Sequence, residues 1–225
     1  MKLSTHSHHI IIDGEMVIFD EIGDKYWILN KEETDTVLDA LHVESKPELH
    51  MDPIKDLVAA GVLTAGNQGS DIKFAAPDIK GIDFHEWQSS FKIGLVPVRK
   101  KILFQSALAL ISACILLNTI GLHRTFNLLR LIKARNTSKN SLNDKDALEI
   151  SSGIKISSIY IPLPTSCLQH ALGAHLLSCF KGNSVRMKIG VKKYDFLAHA
   201  WIENNNTVIG DRPDLPELLH TIFSI

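Results

Sequence analysis

The chain has 225 residues, 45% of them hydrophobic, with 24 Lys+Arg against 25 Asp+Glu. That apolar content and near-neutral balance exclude a globally disordered protein and leave room for one large or two small domains. The three cysteines, Cys114, Cys167 and Cys179, include no CxxC pair, which argues against a disulfide framework or a structural zinc site and fits a reducing, cytoplasmic setting.

Residues 1–12 lack the positive n-region and cleavage site of a secretory signal. The balanced charge hides an asymmetry. Residues 1–66 carry 5 Lys against 13 Asp+Glu, a net of −8, while the remainder is net +7. From Trp87 to Asn143 there are nine Lys/Arg and no acid. Such a split points to separate modules with different partners.

Along residues 9–29, Ile10-Ile11-Ile12 meets the hairpin turn Asp13-Gly14, then Met16-Val17-Ile18-Phe19. A second turn, Glu21 to Asp24, leads into Tyr26-Trp27-Ile28-Leu29. Asn30 and Glu33 have capping-box spacing ahead of Val37, Leu38 and Leu41. Asp52-Pro53 opens a second helix, which Gly61 stops before Val62-Leu63. Strands and helices in this order resemble a winged helix. Its negative charge opposes duplex DNA, which needs Lys and Arg against phosphates. A peptide paired along a strand edge is the better partner, and no nucleic acid is expected. The His6-His8-His9 cluster reads as a flexible N-terminus, and no metal site is expected.

Gly66, Asn67, Gln68, Gly69, Ser70 and Pro77 mark residues 67–90 as a linker. Residues 102–122 carry no charge, but Gln105, Ser106, Ser112, Asn118 and Thr119 interrupt them and both flanks are basic. They read as a buried helix rather than a transmembrane span, with peripheral membrane contact through the basic helices left open. Residues 136–150 are polar and read as a surface loop.

Leu168, Ala171, Leu172 and Leu176 repeat with helical spacing from 165 to 181, with Thr165 or Ser166 as cap and Gly182 as stop. Cys167 then lies in the first turn, where the helix dipole and unpaired N–H groups favour thiolate. Val185, Met187, Ile189 and Val191 alternate as a strand, and Phe196 to Ile202 form another, placing Leu197, His199 and Trp201 on one face. His199 follows Cys167 by 32 residues and Asp211 follows by another 12, just past a third strand, Thr207-Val208-Ile209. A thiol, an imidazole and an orienting acid in this order make Cys167, His199 and Asp211 a candidate triad. The Cys167 N–H is a natural oxyanion donor, with Ser166 and Gln169 as alternatives for the second. Cys114 and Cys179 read as small buried hydrophobes, and His170 and His175 as packing or helix-surface residues.

With these residues laid out, the chain resembles the lasso-peptide leader peptidases, the B proteins of lasso-peptide biosynthesis. Leu163-Pro164-Thr165-Ser166-Cys167-Leu168, Ala198-His199-Ala200-Trp201-Ile202-Glu203 and Val208-Ile209-Gly210-Asp211 look like the motif blocks of that family's transglutaminase-like protease domain. Asp13-Gly14-Glu15-Met16-Val17, Tyr26-Trp27-Ile28-Leu29-Asn30 and Ala60-Gly61-Val62-Leu63 look like its PqqD-like recognition element.

The resemblance implies an α+β architecture: a winged-helix, PqqD-like module at 1–66, a linker at 67–90 and a papain/transglutaminase-like cysteine protease domain at 91–225. The last has a helical part at 91–150 and a catalytic core with a small antiparallel sheet at 151–225. It implies Cys167 as nucleophile, His199 as base, Asp211 as orienting acid, and Tyr26, Trp27, Ile28 and Leu29 as leader-binding residues. The implied partners are the precursor's leader segment, an asparagine-synthetase-like lasso cyclase and an ABC exporter. No cofactor is bound directly, and ATP dependence would come through the cyclase. Two alternatives stay open: an acyltransferase or transglutaminase using the same triad, and a non-catalytic leader-binding scaffold.

Overall fold

The computed structural model describes residues 1–42, 52–66, 72–75, 95–135, 143–183 and 185–225. The chain divides into two units, Met1–Asp78 and Ile79–Ile225.

The first unit runs β1 (Lys2–Leu3), β2 (Ser7–Ile12), β3 (Glu15–Asp20), β4 (Lys25–Ile28), α1 (Lys31–His42), α2 (Asp52–Ala59) and β5 (Leu63–Thr64). Asp13 and Gly14 both take positive φ, 53° and 82°, the conformation that lets a two-residue turn follow the twist of β2 and β3. Antiparallel β2-β3-β4 forms one sheet and β1-β5 a second. Asn30 and Glu33 cap α1 reciprocally, each main-chain N–H donating 2.9 Å to the other's side chain. The core gathers Met16, Ile18, Val37, Leu57, Val62 and Leu63.

Two expectations for this unit change. The histidine cluster is not a flexible end: His8 and His9 lie within β2. His8 pairs with the buried Glu21 at 2.7 Å, and His9 is buried, its Nε2 accepting from the Lys73 amide at 3.2 Å. Residues 72–75, assigned to the linker, lie parallel to β2 instead. The Ile11 amide donates to Lys73 O at 2.9 Å, and the Ala75 amide donates to Ile11 O at 2.8 Å. The outward N–H and C=O of Ile11 thereby find their partners in this segment. The rest of the expected linker lies largely outside the described residues.

The second unit contains α3 (Lys100–Ile120), α4 (Leu122–Arg135), α5 (Asp144–Tyr160), α6 (Cys167–Phe180), β6 (Arg186–Lys192), β7 (Leu197–Asn204), β8 (Thr207–Val208), α7 (Leu215–Leu218) and β9 (His220–Ser224). Its antiparallel sheet has the order β8-β7-β6-β9. Helix α6 packs against α3 and α5 and also against β7. Gly173 of α6 lets α3 close in: a Cβ there would sit 3.3 Å from the Leu110 main chain. Phe126 of α4 is fully buried and stacks on Phe223 of β9, with ring centroids 4.6 Å apart. That contact ties the helical layer to the sheet.

Helix α3 is long and apolar enough to cross a membrane by length and composition. It is not the wholly buried helix expected. Ile102, Ser106, Leu110, Ala113 and Cys114 form a buried stripe, whereas Phe104, Leu108 and Ile115 are exposed. Of the expected loop 136–150, residues 136–142 lie outside the described set and the remainder begins α5, capped by Asn143. The helix escapes a hydropathy reading because its buried residues include Glu149, Ser151, Ser152, Lys155 and Ser157. Glu149 is held by Arg99, whose guanidinium approaches to 2.6 Å. Strand β9 and helix α7 follow the last sequence-predicted element, with Pro216 in the first turn of α7.

Candidate active site

Ser166 sits in extended backbone at the N-cap of α6, and both its amide and its hydroxyl donate to Gln169 Oε1. This box makes Cys167 the first helical residue, partly exposed at the helix end. Gln169 is thereby turned back on Ser166.

Across from α6, β7 carries His199, which is 5% exposed. Its Nε2 lies 2.9 Å from Asp211 Oδ2, and the Cys167 thiol is close enough to the same imidazole for their charges to interact. Asp211 is placed by the turn after β8, where Gly210 takes φ +68°. A side chain at 210 would also run into the Ser151 hydroxyl, so the turn needs glycine twice over. The second Asp211 oxygen, Oδ1, accepts the Arg212 amide at 2.8 Å. Cys167, His199 and Asp211 thus line one cavity of about 570 Å³.

Electrostatics follow from this enclosure. Burial pushes the Cys167 thiol up. The pull of the neighbouring His199, with the N–H groups of Ala200 and Leu168, outweighs it and leaves the thiol below its ordinary range. Burial works against the His199 cation, but the hydrogen bond to Asp211 and the pull of the nearby Cys167 hold it above the ordinary histidine value. Burial likewise opposes the Asp211 charge, and His199 and the Arg212 amide still bring its pKa down. The thiol and imidazole shifts run toward each other, which raises the share of the thiolate–imidazolium pair.

Three polar residues of the cavity went unread. Ser151, Lys155 and Ser158 of α5 line it at helical spacing beside the buried apolar stripe Ala147, Ile150 and Ile154. That spacing was the available signal. Lys155 is buried, and burial lowers its pKa against the opposing pull of Asp211. His170, read as a packing residue, also lines the cavity, with Nε2 3.3 Å from Thr165 Oγ1. Burial, then the Lys155 charge, lowers its pKa to about 4, so it is neutral at physiological pH.

Cys114 and Cys179 are buried in helices, their thiols pushed up by burial. His175 is fully buried, 3.5 Å from the Cys179 sulfur. The residues expected to bind a leader lie in the other unit. Tyr26 stacks on Phe19 with centroids 5.0 Å apart, Lys25 Nζ sits 4.0 Å over the Trp27 ring, and Ile28 is exposed. Leu29 is packed in the core, its amide donating to Met16 O at 2.9 Å. Because bonded pairs alternate in an antiparallel ladder, this bond makes Ile18–Trp27 a bonded pair and turns the Tyr26 and Ile28 main-chain groups away from β3.

Residues 107–224 match the family model described as the Transglutaminase-like superfamily, and that span exceeds half the chain. The chain belongs to the transglutaminase-like superfamily. The superfamily domain thus begins within α3 and takes in the helices, the sheet and all three triad positions. Transglutaminase-like domains are associated with cysteine protease or acyl-transfer activity through Cys-His-Asp sets. No curated protein and no solved structure matches the chain.

Proposed function

We propose that this transglutaminase-like protein is a cytoplasmic cysteine peptidase that removes the leader from a ribosomally made lasso-peptide precursor. The observation carrying the catalytic part is the convergence of Cys167, His199 and Asp211 in one cavity, with the thiol lowered and the imidazole raised. Cys167 thiolate attacks the junction carbonyl, forming the thioester bond as the junction C–N bond breaks. His199 gives its proton to the departing core amine. Water, losing a proton to the same imidazole, then releases the leader carboxylate and restores the thiol. Helix-end N–H groups beside Cys167 face the developing oxyanion.

The N-terminal unit, read as a PqqD-like element, holds the leader as an added strand along β4. The Tyr26 and Ile28 main-chain groups turned away from β3 support that reading, with Trp27 and the exposed Ile28 as side-chain contacts. The freed core amine passes to an asparagine-synthetase-like cyclase, to which any ATP requirement belongs, and an ABC exporter acts later.

The test uses the full chain, a candidate precursor and the cyclase. Cleavage should be followed by mass spectrometry with wild type and Cys167→Ala. Processing that survives Cys167→Ala would sink the peptidase reading and leave a leader-binding scaffold. A product carrying an added amine in place of the leader carboxylate would identify an acyltransferase.

A further inference from the structure

Residues 199, 201 and 203 alternate on one face of β7, and each touches the next. The His199 and Trp201 rings lie within 15° of parallel, centroids 6.2 Å apart. The Trp201 indole N–H donates to Glu203 Oε1 at 2.9 Å. Glu203 Oε2 is 2.7 Å from Lys188 Nζ on the neighbouring strand, and the Glu203 side chain is only 1% exposed. A buried carboxylate is costly unless paired, so its presence against an indole N–H needs a reason. The opposite edge of the indole is seated too. A Cβ on Gly190 would come 2.7 Å from the Trp201 ring, so the six-membered edge occupies the space that a side chain there would fill. The ring is therefore pinned at both edges, with its face toward the imidazole.

We infer that Glu203 is a positioning residue for His199, acting through Trp201: it locks the indole as a wall that holds the imidazole between Asp211 and Cys167. Lys188 neutralises the buried Glu203 carboxylate, and Gly190 provides the seat. The inference rests on the catalytic reading of Cys167.

The test is the pH dependence of Cys167 alkylation by iodoacetamide in the full chain, with thermal melting as the folding check. Lys188→Met/Glu203→Leu removes the acceptor without leaving an unpaired charge, and Gly190→Ala pushes the indole from its other edge. Each should raise the alkylation midpoint by about one unit, a roughly tenfold slower reaction at pH 6.5. Lys188→Met/Glu203→Gln keeps a carbonyl for the indole N–H and should stay within about twofold of wild type. The two disruptive variants approach one anchor from opposite sides, so misfolding of either leaves the other to decide. Wild-type midpoints in folded disruptive variants would overturn the inference alone, as would a Gln variant as impaired as the Leu variant. A wild-type midpoint near free cysteine would overturn the catalytic reading and this inference with it.

Discussion

Replacing Asp211 with Asn leaves the shape of the site and removes one charge. The His199 Nε2 to Asp211 Oδ2 distance is 2.9 Å, with side chains only 6% and 15% exposed. Charge centres about 4 Å apart in a medium of effective dielectric near 20 attract by about 4 kcal/mol. Asn can still accept a hydrogen bond, so the loss is about 2–4 kcal/mol, or about 1.5–3 units off the His199 pKa. The thiolate–imidazolium population at pH 6.5 should fall by about 30-fold to 1,000-fold, and the iodoacetamide rate at Cys167 with it. Peptide mass spectrometry after timed alkylation reads this site by site, and buried Cys114 and Cys179 report any unfolding. A folded Asp211→Asn protein that alkylates within twofold of wild type would refute the claim that this carboxylate supports the imidazolium.

Other outcomes follow from the same geometry. Lys155→Met removes a positive charge that lowers the Asp211 pKa, so the acid limb of the alkylation profile should move to higher pH. Phe126→Ala empties a fully buried site against Phe223 and should cost about 3–5 kcal/mol in denaturant unfolding. Gly210→Ala meets both a positive φ and the Ser151 hydroxyl, so it should lower the melting temperature and slow Cys167 alkylation together. His9, His170 and His175 are each lowered by burial to about 4. Since the unfolded chain takes up their protons near pH 6.5, their contribution is intact above that pH. It is lost progressively as pH falls toward 4, at up to about 1.4 kcal/mol per pH unit per histidine. Urea midpoints at pH 7.5 and 5.5 should show that decline. In the opposite sense, the raised His199 contributes below pH 6.5 and fades as pH rises through its folded pKa.

The convergence of the three candidate residues was legible because each carries its own local signal: Cys167 at a helix start, His199 inside an alternating strand and Asp211 in a turn. Ser166 and Gln169 mark the start of α6, alternation marks β7, and Gly210 marks the turn holding Asp211. Helix α5 was hidden because its cavity-facing side is polar: Ser151, Lys155 and Ser158 break the apolar period, yet they line the site. The His8 and His9 environment depended on partners far along the chain, Glu21 and Lys73, which no local pattern reveals. Leu29 shows the limit of a motif carried over as a block, since one of four consecutive residues turns into the core.

The short segment 72–75 beside Ile11 has a consequence for strand addition. A three-stranded sheet offers two rims for strand addition, and exposed rims also invite self-association. Here the chain stitches its own backbone onto β2 at Ile11, so that rim is contested at its centre of pairing. A guest strand that docks on this unit therefore competes with the chain itself on the β2 side and meets no such rival on the β4 side among the described residues.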